Sequence, residues 1–166
     1  MNKFSHQTGF TLIEVMVTII VISLGALGAA GLQVKAQQFS HNAYLNTQAI
    51  LLAHDMSERM RANPAGTQAR QYHLPTATYH ADCFTITGCD PSDMAQSDMY
   101  QWTGDHPNSG IRSLPQGSAV VCIDSTPDDG SQTSAACDGI GDSYAVKVWW
   151  RSMDDEIVKT VITSNF

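Results

Sequence analysis

Apolar positions are unevenly spread along the 166 residues. One uninterrupted stretch, Phe10 to Leu32, holds 23 residues with a single charge, Glu14. As a helix rising about 1.5 Å per residue it reaches roughly 35 Å, enough to cross a bilayer core of about 30 Å. Small residues at Ala29 to Gly31 also suit an ordinary secretory cleavage site. The length of the stretch and its unbroken passage into a helical pattern favour a retained anchor. Beyond Leu32 the pattern becomes amphipathic. Val34, Phe39, Ala43, Ile50, Ala53, Met56 and Met60 follow an approximate helical stripe, with Gln37, Asn46, Glu58 and Arg59 among the polar positions. Pro64 closes the pattern, because the residue before a proline resists helical geometry. The expectation is one helix from about Phe10 to Ala62: residues 10–32 transmembrane, 33–63 its amphipathic continuation. Gly25, Gly28 and Gly31 recur at every third residue, a spacing that serves close helix packing or a weakened segment equally well.

Residues 64–166 read differently. Ala119 to Asp124 is a short β-branched run, and Ser143 to Trp150 with Glu156 to Thr163 form a hairpin pattern around Arg151 to Asp155. Met94, Met99 and Trp102 read as core residues, and Leu114-Pro115-Gln116-Gly117 as a turn before a strand. The expected class is α+β, a long N-terminal helix packed against a small antiparallel sheet. Residues 126–142 form a loop rich in Asp, Gly and Ser. Asp128, Asp129 and Asp138 offer oxygens to calcium, but without a recognised calcium-loop spacing, which favours a solvated loop closed by a disulfide.

Charge narrows the choices. The net charge is -7. From Pro64 onward five Lys/Arg stand against thirteen Asp/Glu, a balance of -8, which argues against direct nucleic-acid binding. Lys3 and the initiator amine precede the apolar stretch, so the positive-inside tendency places the N-terminus in the cytoplasm and the body in the exported compartment. All four cysteines, Cys83, Cys89, Cys122 and Cys137, lie in that body. Two disulfides in an oxidising compartment are expected. The preferred connectivity of the three possible is Cys83–Cys89 with Cys122–Cys137, since each pair brackets a polar, turn-rich loop. A zinc site using His80 and Cys83 is the alternative, and no Cys-x-x-Cys pair supports it. No serine-nucleophile elbow, phosphate-binding glycine loop or zinc-protease helix motif occurs, so neither catalysis nor a cofactor is expected.

Glu14 is the costly residue, at about 3 kcal/mol for an unpaired carboxylate at membrane depth, less if it reaches the headgroups. Its context is Gly9-Phe10-Thr11-Leu12-Ile13-Glu14-Val15, which resembles the processing motif of type IV prepilins. The resemblance implies that residues 1–9 are a leader. A prepilin peptidase would cut after Gly9 and methylate the Phe10 amine, and Glu14 would neutralise the Phe10 amine of a neighbouring subunit. It also implies partners: other major and minor pilins and the inner-membrane assembly platform. The protein would be single-pass in the inner membrane first, then part of the pilus at the cell surface. The segment Ala53 to Asn63, the pair Cys83 and Cys89, Met94 to Trp102 and Leu114 to Gly117 resemble the PilV-type minor pilins, which implies a role in starting pilus assembly, in adhesion or in twitching motility. A minor pseudopilin of type II secretion shares the anchor and helix. A membrane-tethered periplasmic binding module or enzyme is the rival of another class.

Overall fold

A computed structural model describes residues 9–104 and 110–166. The leader expected at residues 1–9 therefore lies, apart from Gly9, outside the described residues. Internal packing separates two units, Met1–Ser40 and His41–Phe166.

Helix α1 (Leu12–Ala62) contributes to both. It begins at Leu12, two residues after the expected Phe10, with Thr11 in the capping place before it. The Thr11 carbonyl accepts from the Glu14 and Val15 amides at 3.1 and 3.3 Å, with its hydroxyl near the Glu14 amide at 3.4 Å. The far end stops where proline cannot continue the ladder. Asn63 Oδ1 accepts from Gly66 N at 3.1 Å and caps the short helix α2 (Pro64–Gln68).

In the His41–Phe166 unit the buried face of α1 is Leu45, Ala49, Ala53, Met56, Ser57 and Met60. This corrects the expected stripe. Ala53, Met56 and Met60 are buried, but Val34, Phe39 and Ala43 are exposed and Ile50 is only partly covered. The true stripe keeps helical spacing from Leu45 onward, with Ala49 and Ala53 fully buried on it. The expectation instead followed the larger side chains.

The sheet has order β1 (Ser118–Ile123), β2 (Ser143–Arg151), β3 (Ile157–Asn165), all antiparallel. Its inner face carries Val121, Ile123, Tyr144, Val146, Val148 and Trp150, which join the α1 stripe in one core. Each large apolar side chain so buried contributes about 1.5–3 kcal/mol. The outer face carries Cys122, Ala145, Lys147 and Trp149, and it is buried too. The free edge of β1 is also satisfied: Leu74 N donates to Val121 O at 2.9 Å, and Ile123 N donates to His73 Nδ1 at 3.0 Å.

Along the chain, between α2 and β1, comes α3 (Pro91–Thr103), an element the apolar pattern does not predict. Asp90 Oδ1 accepts from Ser92 N and Asp93 N at 2.8 and 2.9 Å, Pro91 opens the first turn, and Gly104 ends it at φ 100°. Its buried residues include Ala95, Met99 and Trp102, and Trp102 Nε1 donates to Leu52 O at 2.7 Å.

Candidate functional site

In the Met1–Ser40 unit the described side chains offer a long apolar surface. Phe10 is 83 % exposed, and none of the most apolar window of α1 is buried in the chain. Two polar side chains in this stretch satisfy themselves by back-bonding one turn, Thr18 to the Glu14 carbonyl and Ser23 to the Ile19 carbonyl. Glu14 does not. It sits in the first turn, favourable for a carboxylate at a helix N-terminus, and shares an open groove with Ile13, Val17, Thr18 and Val21. Among the described residues no side chain pairs with its carboxylate. Gly25, Gly28 and Gly31 lie within unbroken α-helix, and nothing in the chain stands within 4 Å of where a Cβ would be.

The body contains a polar clasp where α1 ends. Arg59 bonds Asp55 at 3.0 Å, Gln101 at 2.8 Å and Asp98 at 3.3 Å. The Tyr72 hydroxyl donates to the other Asp98 oxygen at 2.5 Å. Asn63 donates to Tyr72 at 3.3 Å and to the Pro91 carbonyl at 2.8 Å. Burial and the Asp98 hydrogen bond both push the Tyr72 phenol well above its ordinary value, so it remains a donor. Two segments singled out in the sequence, Ala53 to Asn63 and Met94 to Trp102, thus meet in space through Arg59, Asp98 and Gln101.

The cysteines are joined as Cys83–Cys89 and Cys122–Cys137. A zinc thiolate site is incompatible with these bonds, and His80 turns instead toward Gln96 at 3.1 Å and Asp93 at 3.7 Å. Two of the loop's candidate calcium ligands, Asp129 and Asp138, are engaged by different partners within the chain. Asp129 accepts from Thr126 and from Lys147, and Asp138 accepts from Ser125 and the Ile140 amide. These bonds hold both carboxyls below the usual range, the hydroxyls of Thr126 and Ser125 being the largest causes.

Lys147 was missed by sequence reasoning. It is wholly buried, 2.5 Å from Asp124 Oδ2 and 3.1 Å from Asp129 Oδ1, and it donates to Ala135 O at 2.9 Å. The ammonium is what compensates the buried Asp124 Oδ2. Burial alone would lower the Lys147 pKa, but its two aspartates outweigh burial and raise it. The one signal in the sequence is a lysine within Tyr-Ala-Val-Lys-Val-Trp-Trp, a strand apolar on both faces.

Comparison with known proteins fits this arrangement. An apolar helix joined to an antiparallel sheet is a pilin-like fold. Residues 4–30 match the family model described as prokaryotic N-terminal methylation motif. Residues 31–100 match the model described as type IV pilin Tt1218. The chain is thus similar to a methylation motif over residues 4–30 and to a type IV pilin over residues 31–100, and the second match holds every clasp residue except Gln101. No curated protein and no solved structure gives a match.

Proposed function

We propose that the chain is a minor, non-catalytic type IV pilin of the PilV kind. Residues 1–9 act as leader, 10–32 as membrane anchor and later filament core, 33–63 as the amphipathic continuation, and 64–166 as the exported body. Prepilin peptidase removes the leader after Gly9 and methylates Phe10. The observation that carries this reading is Glu14, a carboxylate with no partner among the described residues, on an apolar helical face inside the matched methylation motif. Cleavage supplies its complement, a cationic amine at Phe10. Either charge alone is costly in an apolar interior, whereas the pair formed between neighbouring subunits is tolerable, so pairing rewards correct axial register.

The body has a different task. Its acidic surface and two disulfides suit exposure outside the cell, where it joins other major and minor pilins, helps start polymerisation and supports adhesion or twitching motility. The test is deletion of the gene with two readouts, surface pili and secretion of folded exoproteins. The reading expects fewer pili with secretion intact. Lost secretion with normal pili would make the chain a pseudopilin of type II secretion instead.

A further inference from the structure

The outer face of the sheet is closed by residues 124–137, and this cover is fastened in a way the pilin reading does not require. Lys147 lies mid-sheet, between Val120 of β1 and Val161 of β3. Every polar partner of its ammonium belongs to the cover: Asp124 at one end, Asp129 in the middle, and the Ala135 carbonyl at the other. Asp124 is two residues after Cys122, and Ala135 two before Cys137. The disulfide therefore pins both ends of the segment that grips the lysine. Lys159 adds a second fastening, donating to the Asp128 and Asp129 carbonyls. Gly130 permits the fold-over: its φ is +79°, and a Cβ there would stand 2.4 Å from the Ala135 carbonyl that Lys147 uses.

We propose that residues 124–137 are a lid latched by Cys122 and Cys137, and that forming this disulfide is the step that seals Lys147 inside the body. The two thiols give up two electrons and two protons to a disulfide oxidant, the S–S bond forms, and the closed lid delivers its oxygens to the ammonium. A buried lysine without those oxygens would be strongly disfavoured, so whenever the lid opens Lys147 passes into water, and without the latch it opens more often. The latch thereby distinguishes an oxidised, finished body from a reduced one.

The test is amine labelling of the full-length protein in detergent micelles with an N-hydroxysuccinimide ester, each lysine read by mass spectrometry. In the oxidised protein Lys147 should label far more slowly than the exposed Lys35. Reduction with a phosphine, which breaks the S–S bond to two thiols and is itself oxidised, should raise Lys147 labelling roughly 100-fold, the population change expected for releasing a loop of this size. Cys122→Ser/Cys137→Ser should reproduce this without reductant, while Cys83→Ser/Cys89→Ser should leave Lys147 sealed. Parallel amide exchange of β1 and β2 separates lid opening from general unfolding. Lys147 that stays sealed after reduction, labels freely when oxidised, or labels only as β1 and β2 lose protection overturns the proposal.

Discussion

Removing the Asp98 carboxylate tests whether the clasp holds the end of α1 to the body. Asp98→Ala deletes the acceptor for the Tyr72 hydroxyl at 2.5 Å and one of the three partners of Arg59. Tyr72 is fully buried, so its hydroxyl loses the group to which it donates, costing about 1–3 kcal/mol. Arg59 is partly exposed and keeps Asp55 and Gln101, so its share is below about 1 kcal/mol. The total is about 3 kcal/mol. At about 2.1 cal/mol/K per residue, the His41–Phe166 unit has an unfolding entropy of roughly 0.26 kcal/mol/K, so Tm should fall by about 11 °C. Thermal unfolding of the full chain in detergent, followed by tryptophan fluorescence, reads this directly because Trp102 and Trp150 are buried in the core. Tyr72→Phe removes the orphaned hydroxyl, so Tyr72→Phe/Asp98→Ala should cost at least about 1 kcal/mol less than the two single changes summed. A fall in Tm below about 3 °C, or strict additivity, would refute the reasoning.

Other expectations follow from the same geometry. Met56→Ala empties a fully buried site on the α1 stripe and should cost about 2–5 kcal/mol, measurable by urea unfolding, whereas Phe39→Ala on an exposed site should leave body stability nearly unchanged. Acid should loosen the 124–142 loop. Asp129 and Asp138 have pKa values lowered on folding, so their contribution is complete above the unfolded value of about 4 and is lost as pH falls through the lower folded values; amide exchange of Ser125 and Ile140 across that window is the readout. Glu14→Ala should leave membrane insertion and leader cleavage intact yet reduce the amount of protein in sheared filaments. Normal amounts there would count against the register role.

The parts legible in the sequence are those governed by local chemistry. A long apolar run, a proline stop and a β-branched hairpin each declare themselves within a few residues. The helix and the three strands accordingly lie within two residues of their expected limits. Helix α3 had equally local signals in Asp90 and Pro91, but its sparse apolar residues among Ser, Asp and Gln conceal a helical period. The α1 stripe was misplaced because Ala49 and Leu45 are buried by what packs on them, a property of the tertiary fold rather than of their own size. Lys147 and Tyr72 were illegible for the same reason. Their partners, Asp124 and Asp98, lie 23 and 26 residues away along the chain, and only the folded sheet and clasp bring them together. At the N-terminus the apolar context that makes Glu14 stand out is local, because it is set by the residues of one helix.

The central claim is that α1 begins as an anchor and ends as a filament element, with processing between Gly9 and Phe10 as the event that converts it. The direct measurement is mass spectrometry of the N-terminal peptide of the protein recovered from sheared surface filaments. The account predicts a chain starting at Phe10 with a methylated amine. Recovery only from the membrane fraction, with an N-terminus still at Met1, would contradict it.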